Sequence, residues 1–159
     1  MKITEKDKEY MREAIRLADE SVKNGGGPFG AVIVKDGEII AGSANSVTID
    51  NDPTAHAEVN TIRQACKKLG TFDLSDCVIY TSCEPCPMCL GAIYWARIKR
   101  IYYGNTKKDA ADINFADDFI YKELEQRKEK RFVPLISLLR NEALKTFRAW
   151  EAKKDKVEY

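Results

Sequence analysis

The chain carries the sequence CEPCPMC at residues 83–89 and the sequence TAHAE at residues 54–58. His56 is the only histidine, and two residues separate Cys86 from Cys89. One imidazole and two thiolates would supply three zinc ligands and leave a fourth tetrahedral position for water or hydroxide. Three protein ligands are typical of a catalytic zinc site, so we expect the fold to bring these two segments together.

Cys83 lies three residues before Cys86 and could also belong to the ligand set. The spacing favours Cys86 and Cys89, because Cys83 precedes Pro85 and is expected to lie on the incoming loop. With Cys83 as a fourth ligand, the site would be structural. A Cys-x-x-Cys pair can also be a redox pair, but the third cysteine and the two prolines disfavour that interpretation.

Glu58 follows His56 by two residues, close to the predicted start of a helix. Residues two apart do not share a helix face, so a site that uses both must lie beyond the N-terminal end of that helix. Zinc lowers the pKa of a bound water to about 7. A neighbouring carboxylate can accept the proton of that water and pass it on, which makes Glu58 the candidate general acid–base.

The composition indicates one ordinary globular domain. The chain has 159 residues, of which 44% are hydrophobic, and its formal net charge is only +1. A protein that binds nucleic acid usually has a clear basic excess, so a nucleic-acid partner is not expected.

The N-terminal stretch lacks the apolar segment of an export signal, and no run is long enough to span a membrane. Five cysteines, an odd number, do not suggest a disulfide framework, so we expect a cytoplasmic protein.

The order of apolar segments predicts an α/β fold with three layers and parallel crossovers. Helices are expected from Thr4 to about Lys23 and from about Ala55 to Leu69, the second capped by Asp52 or Thr54. The glycine run at 25–27 predicts a connector, and a polar loop is expected at 45–53. Asp36-Gly37 predicts a hairpin between strands at 30–35 and 38–42. Further along, the pattern predicts a strand at 77–81, a helix opened by Pro85 and a strand at 100–104.

The pattern becomes looser after Gly104. A charged helix is predicted from Phe119 to about Lys130 and a last helix from Asn141 to about Lys154. The apolar run at 133–139 between them predicts a strand or a buried loop.

The chain resembles the cytidine-deaminase-like superfamily of zinc deaminases and, within it, the bacterial guanine deaminase family. The superfamily resemblance rests on GPFGAVIVKDG at 27–37, NDPTAHAE at 51–58 and YTSCEPCPMCLGAIYWAR at 80–97. The narrower resemblance rests on DAA at 109–111, FADDFIYKE at 115–123 and the terminal Tyr159. It implies a mixed central sheet flanked by helices in an α/β/α fold. It also implies one zinc ion per chain on His56, Cys86 and Cys89, and hydrolysis of guanine to xanthine and ammonia in purine metabolism.

The resemblance also implies roles for residues of the substrate pocket. Asp117 matches a second proton carrier, with Asp118 adjacent to it. Tyr159 matches a tyrosine that closes the pocket of its own chain or of a partner. The remaining matches are contacts with the purine: Asn45 by a hydrogen bond, the backbone N–H of Ala57, and the aromatic rings of Phe29 and Trp95.

The family resemblance finally implies a homodimer, in which a C-terminal arm from about residue 105 to 159 is swapped between copies of the single domain 1–159. Related activities on guanosine, cytosine or tRNA adenosine are the alternatives within the superfamily. A non-enzymatic module stabilised by a structural zinc ion is the alternative outside it.

Overall fold

The computed structural model describes residues 3–159. The chain divides into a first unit that ends at Asp117 and a second unit, Asp118–Tyr159. Met1 and Lys2, which begin the stretch interpreted as lacking an export signal, lie outside the described residues. Across the described part of the chain, no helix combines the length and the apolar character that a membrane span requires.

The first unit is a mixed four-stranded sheet with helices on both faces, as predicted. The strand order is β2-β1-β3-β4; β1 runs antiparallel to β2 and β3, and β4 runs parallel to β3. Among the strands of residues 3–159, only the β3–β4 connection is therefore a parallel crossover. The elements are α1 Glu5–Lys23, β1 Gly30–Lys35, β2 Glu38–Ala44, α2 Val47–Asp50, α3 Ala57–Leu69, β3 Cys77–Cys83, α4 Pro87–Trp95, β4 Ile101–Asn105 and α5 Lys107–Asp112.

The alternation of side chains along β1 creates two cores, one on each face of the sheet. Val32 and Val34 pack with Tyr10 and Tyr80 beneath α1. Ile33 points to the opposite face, where it belongs to the cluster that includes Ile79 and Ile93 of α4. These two cores give the three-layer arrangement its physical basis.

Local signals at the ends of α1 and β1 are confirmed. The side chain of Thr4, the predicted start of the first helix, accepts from the backbone N–H of Asp7 and caps α1. Asp36 and Gly37 both have positive φ angles, 49° and 81°, as a two-residue hairpin of this type requires.

The starts of α3 and α4 differ from the predictions. The N-cap of α3 is His56 rather than Asp52 or Thr54, because Asp52 instead accepts from the N–H and the hydroxyl of Thr54. The helix predicted to open at Pro85 begins at Pro87, with Cys86 as its N-cap. Two of the three metal-ligand candidates, His56 and Cys86, therefore immediately precede a helix. The predicted polar loop at 45–53 also contains the short helix α2.

The second unit contains α6 Asp118–Glu125, a 3-10 turn at Lys128–Lys130 and α7 Arg140–Ala152. Residues 118–159 are all described, and none of them is buried. The prediction of a strand or buried loop at 133–139 is wrong, since this segment has no strand and Ile136 is 84% exposed. Although the segment is apolar in composition, it is exposed in the single chain.

Candidate active site

His56, Cys86 and Cys89 form a cluster with the dimensions of a zinc site. The Nδ1 atom of His56 lies 3.6 Å from the Sγ of Cys86 and 3.5 Å from the Sγ of Cys89. Zn–S and Zn–N bonds at a tetrahedral angle place nitrogen and sulfur about 3.5 Å apart. All three ligand atoms lie within 4.8 Å of one another. The residues therefore fit a zinc ion with three protein ligands.

The start of α4 stabilises the charged form of Cys86. Its sulfur accepts from the backbone N–H of Cys89 at 3.5 Å. Hydrogen bonding from the Cys89 side chain, with further help from His56, lowers the pKa of the Cys86 thiol to about 4. Because the thiolate is the form that binds metal, the hydrogen bond from the backbone N–H of Cys89 favours Cys86 as a ligand.

Cys83 lies outside the three-residue cluster. Cys83 is the last residue of β3, and its sulfur is 3.7 Å from the backbone oxygen of Thr106. Burial raises the pKa of the Cys83 thiol to about 11. Its position outside the cluster favours Cys86 and Cys89 as the thiolate ligands.

Glu58 is a buried carboxyl group beside the cluster, only 6% exposed. Its Oε1 lies 3.2 Å from the hydroxyl of Thr81, and its Oε2 lies 3.3 Å from the Sγ of Cys89. Burial is the main cause that raises the pKa of Glu58. A carboxyl group with a raised pKa next to a metal site is suited to accept and release protons. Because His56 is the N-cap, its position agrees with the expectation that the site lies beyond the N-terminal end of α3.

A cavity of about 540 Å³ opens next to these residues, and it belongs entirely to the first unit. His56, Glu58 and Cys86 are among the residues that line it. Asp117 also lines it, and desolvation raises the pKa of this carboxyl group. The cavity is thus lined by two of the candidate zinc ligands and by two carboxyl groups with raised pKa values.

The glycine run at 25–27 does more than connect α1 to β1, because all three residues line the cavity. A Cβ on Gly26 would lie 2.8 Å from the backbone oxygen of Asn45, and one on Gly27 would lie 3.1 Å from its side-chain Oδ1. The hydroxyl of Ser21 donates to the same backbone oxygen at 3.1 Å. The glycines therefore permit the close packing that places Asn45 at the cavity.

Two aromatic rings meet in the cavity wall. The rings of Phe29 and Phe115 are 5.0 Å apart and nearly perpendicular, at 89°. Asn114, with a φ of 70°, reverses the chain after α5, and the N–H of Phe115 donates to the oxygen of Ala110 at 2.9 Å. Sequence reasoning noted Phe115 only within a motif. An asparagine just after a short helix is a turn signal that predicts such a reversal.

Three of the predicted substrate contacts are not among the cavity-lining residues. Trp95 is 69% exposed at the C-terminal end of α4. Tyr159 is 75% exposed and belongs to the second unit. Ala57 is fully buried as the first residue of α3, and its backbone N–H is one of those that a helix start leaves without an intrahelical partner.

Comparison with known proteins agrees with this geometry. A family model described as the cytidine and deoxycytidylate deaminase zinc-binding region matches residues 4–105. This range contains all three ligands of the cluster and Glu58. A tRNA-specific adenosine deaminase of Bacillus subtilis is 43% identical over 98 residues, which cover 62% of this chain and 61% of that protein.

The similarity to guanine deaminase extends beyond that shared region. Guanine deaminase of Bacillus subtilis is 56% identical over 151 residues, which cover 94% of this chain and 97% of the relative. An X-ray structure of guanine deaminase from Bacillus subtilis superposes with a TM-score of 0.93 at 55% identity, covering 96% of this chain and 98% of the other. The chain therefore belongs to the zinc-dependent cytidine and deoxycytidylate deaminase family and, within it, to the family of the bacterial guanine deaminases.

Proposed function

We propose that this protein hydrolyses guanine to xanthine and ammonia with the help of one zinc ion per chain. The observation that carries this proposal is the similarity to guanine deaminase over 94% of the chain. Because 151 aligned residues cannot fit within the 102 residues from 4 to 105, the similarity also includes the C-terminal part of the chain. The zinc-site geometry supports the chemistry, and the longer similarity supports the choice of substrate.

His56, Cys86 and Cys89 would hold the zinc ion, and Glu58 would carry the protons. When bound, zinc lowers the pKa of a water to about 7 and makes it a nucleophile at neutral pH. Glu58 would accept one proton from this water and deliver it to a ring nitrogen of guanine. It would then pass the second proton, now on the added hydroxyl, to the exocyclic amine, which leaves as ammonia while the oxygen stays on the ring carbon as a carbonyl.

Asp117 is our candidate for a second proton carrier. It lines the cavity, and the raised pKa of its carboxyl group favours proton exchange. The neighbouring Asp118 is a weaker candidate, because its hydrogen bond with Lys122 at 2.8 Å lowers the pKa of its carboxyl group. The contrast between the two environments favours Asp117.

The purine is expected to lie between the metal cluster and the loop residues of the cavity wall. Asn45 would hydrogen-bond the ring, and Phe29 would pack against it, since both line the cavity. The N–H of Ala57 supplies a donor at the start of α3. This combination of an apolar wall with a few fixed polar groups is typical of small-molecule sites.

We further propose a homodimer in which a second copy covers α4. This helix is apolar around its whole circumference, a property of buried helices. Yet Tyr94 is 75% exposed, and a Cβ on Gly91 would meet no atom within 4 Å. Trp95 at the end of α4 would then complete the partner's cavity rather than its own.

The second unit is our candidate for the swapped arm, within the predicted segment from about residue 105 to 159. Its last helix, α7, carries Leu144, Phe147 and Trp150 at helical spacing, and Phe147 is 74% exposed. A helix of 13 residues gains most of its stability from packing an apolar face, so a partner surface is expected. Tyr159, at the end of this arm, would close the partner's cavity.

The five free cysteines support a reducing, cytoplasmic compartment.

The experiment that tests the proposed function is a substrate panel with the purified zinc-loaded protein. Guanine, guanosine, adenine, cytosine, cytidine and a tRNA anticodon stem are each scored for ammonia release. We expect xanthine and ammonia from guanine alone. Ammonia from another member only would refute the substrate, and no ammonia from any member of the panel would favour a non-enzymatic zinc module.

A further inference from the structure

We propose that Thr81 is a positioning residue that orients the carboxylate of Glu58 for proton transfer, an inference that rests on the proposed function. Thr81 lies on β3 and is only 1% exposed. Its hydroxyl oxygen is 3.2 Å from Oε1 of Glu58 and 3.0 Å from the backbone oxygen of Cys83. A hydroxyl has one proton to donate, and an ionised carboxylate is a stronger acceptor than a backbone carbonyl.

The hydroxyl of Thr81 gains importance when the metal binds. The Sγ of Cys89 lies 3.3 Å from Oε2 of Glu58 and is the other side-chain neighbour that could donate to this carboxyl group. A cysteine that coordinates zinc is a thiolate and has no proton to donate. Of these two side-chain donors, only Thr81 keeps its proton in the zinc-loaded protein.

The backbone of Thr81 is held on both sides. It pairs with Ala31 of β1 on one side and with Tyr103 of β4 on the other. Glu58, in contrast, lies in the first turn of α3. The hydrogen bond therefore fixes a side chain at a helix end to the centre of the sheet, with Oε1 engaged and Oε2 on the side of the metal cluster.

The test replaces Thr81 with valine, which keeps the shape and removes the hydroxyl. We expect kcat for guanine to fall about ten- to hundredfold, the effect of losing one hydrogen bond to a charged group. KM, zinc content and the affinity for the product xanthine should stay within about twofold of wild type, because Thr81 belongs neither to the ligand cluster nor to the residues that line the cavity. Thr81→Ser, which restores the hydroxyl, should recover kcat to within about threefold.

Thr61→Val is the matched control. Thr61 is also fully buried, but its hydroxyl lies near backbone oxygens only, 2.7 Å from Ala57 and 3.2 Å from Ala31. This variant loses a buried hydroxyl close to the same helix start without touching Glu58. We expect its kcat to remain near wild type, so that a loss specific to Thr81→Val reports on the carboxylate.

A crystal structure of zinc-loaded Thr81→Val gives a readout that does not depend on turnover. The Glu58 carboxylate should be rotated or present in several orientations, while His56 and the two cysteine ligands stay in place. An unmoved carboxylate, a wild-type kcat, or equal losses in the Thr81 and Thr61 variants would overturn the proposal. If Thr81→Val does not fold, Thr81→Ala removes the same hydroxyl and is judged by the same criteria.

Failure of the proposed function is distinguishable from failure of this inference. Wild-type protein that releases no ammonia from guanine refutes the former, and the Thr81 series is then measured on whichever panel substrate is deaminated. Without such a substrate, the orientation of Glu58 in the crystal structure decides.

Discussion

The side-chain oxygen of Asn45 accepts a hydrogen bond from the backbone N–H of Val47 at 3.2 Å. This contact fixes the orientation of the amide, because its oxygen is already engaged and its NH₂ group is left to face a ligand. Asn45 should therefore recognise an acceptor atom of the purine rather than a donor. The recognition would be set by the backbone of α2, the short helix that begins at Val47.

Asn45→Asp tests this polarity. The carboxylate can keep the bond to Val47, but it presents an acceptor where the amide presented a donor. We expect KM for guanine to rise about ten- to hundredfold, with zinc content unchanged. Steady-state kinetics and metal analysis check this result, and an unchanged KM would show that Asn45 does not bind the ring through its NH₂ group.

Glu58→Gln removes the proton carrier and keeps the shape of the side chain. We expect kcat to fall by about a thousandfold or more, since positioned acid–base groups contribute factors of this order. Zinc content and the folded state should remain those of wild type. A Glu58→Gln protein that turned over guanine at the wild-type rate would contradict the mechanism.

Cys83→Ala and Cys86→Ala separate the two possible ligand sets. The first should retain one zinc ion per chain, because Cys83 contacts Thr106 rather than the cluster. The second should lose most of its zinc, because only two protein ligands remain. Elemental analysis after dialysis measures both, and zinc loss in Cys83→Ala would support a four-ligand structural site.

Much of the first unit follows from local sequence signals. Asp36-Gly37 alone predicts the hairpin, and Gly70 ends α3 in the left-handed conformation expected of a helix terminator. The metal ligands could also be found, because few residue types bind zinc and His56 is the only histidine. These features depend on residue chemistry or on neighbours a few positions apart.

The features that sequence reasoning missed depend on contacts between distant segments. Thr81 meets Glu58 across 23 positions, and Gly26 packs against Asn45 across 19. No local sequence pattern predicts either of these two contacts. The helix was predicted to open at Pro85, but it begins at Pro87, because the sulfur of Cys86 acts as its cap. The segment at 133–139 was misjudged because burial depends on what packs against an apolar run.

Gly91→Arg tests the proposed dimer through α4. The single chain has room for this side chain, since a Cβ on Gly91 meets no atom within 4 Å. We expect a folded, zinc-loaded monomer with strongly reduced guanine turnover. Light scattering after size-exclusion chromatography measures the mass, and Gln64→Arg on the exposed face of α3 adds the same charge as a control. A dimeric Gly91→Arg protein would place the interface elsewhere.

Asp73 should contribute to stability in a defined pH window. Hydrogen bonds from Ser75, and then from Arg97 at 2.7 Å, lower the pKa of Asp73 to about 2. A lowered pKa means that this contribution is present above about pH 4, the range of a free aspartate, and is lost as the pH falls toward 2. The free energy of unfolding of zinc-free wild type and Asp73→Asn should therefore differ at pH 5 and converge in acid. A constant difference would exclude this titration.

The positions of His56 and Cys86 as helix caps have a consequence for engineering. These ligands are attached to helices that pack on the sheet, whereas Asn45, Phe115 and Asp117 lie on connecting segments. Libraries confined to residues 45–48 and 113–117 would thus vary the shape of the ring-binding wall and leave the metal cluster intact. The protein is for this reason a suitable starting framework for directed evolution toward other amino-bearing heterocycles.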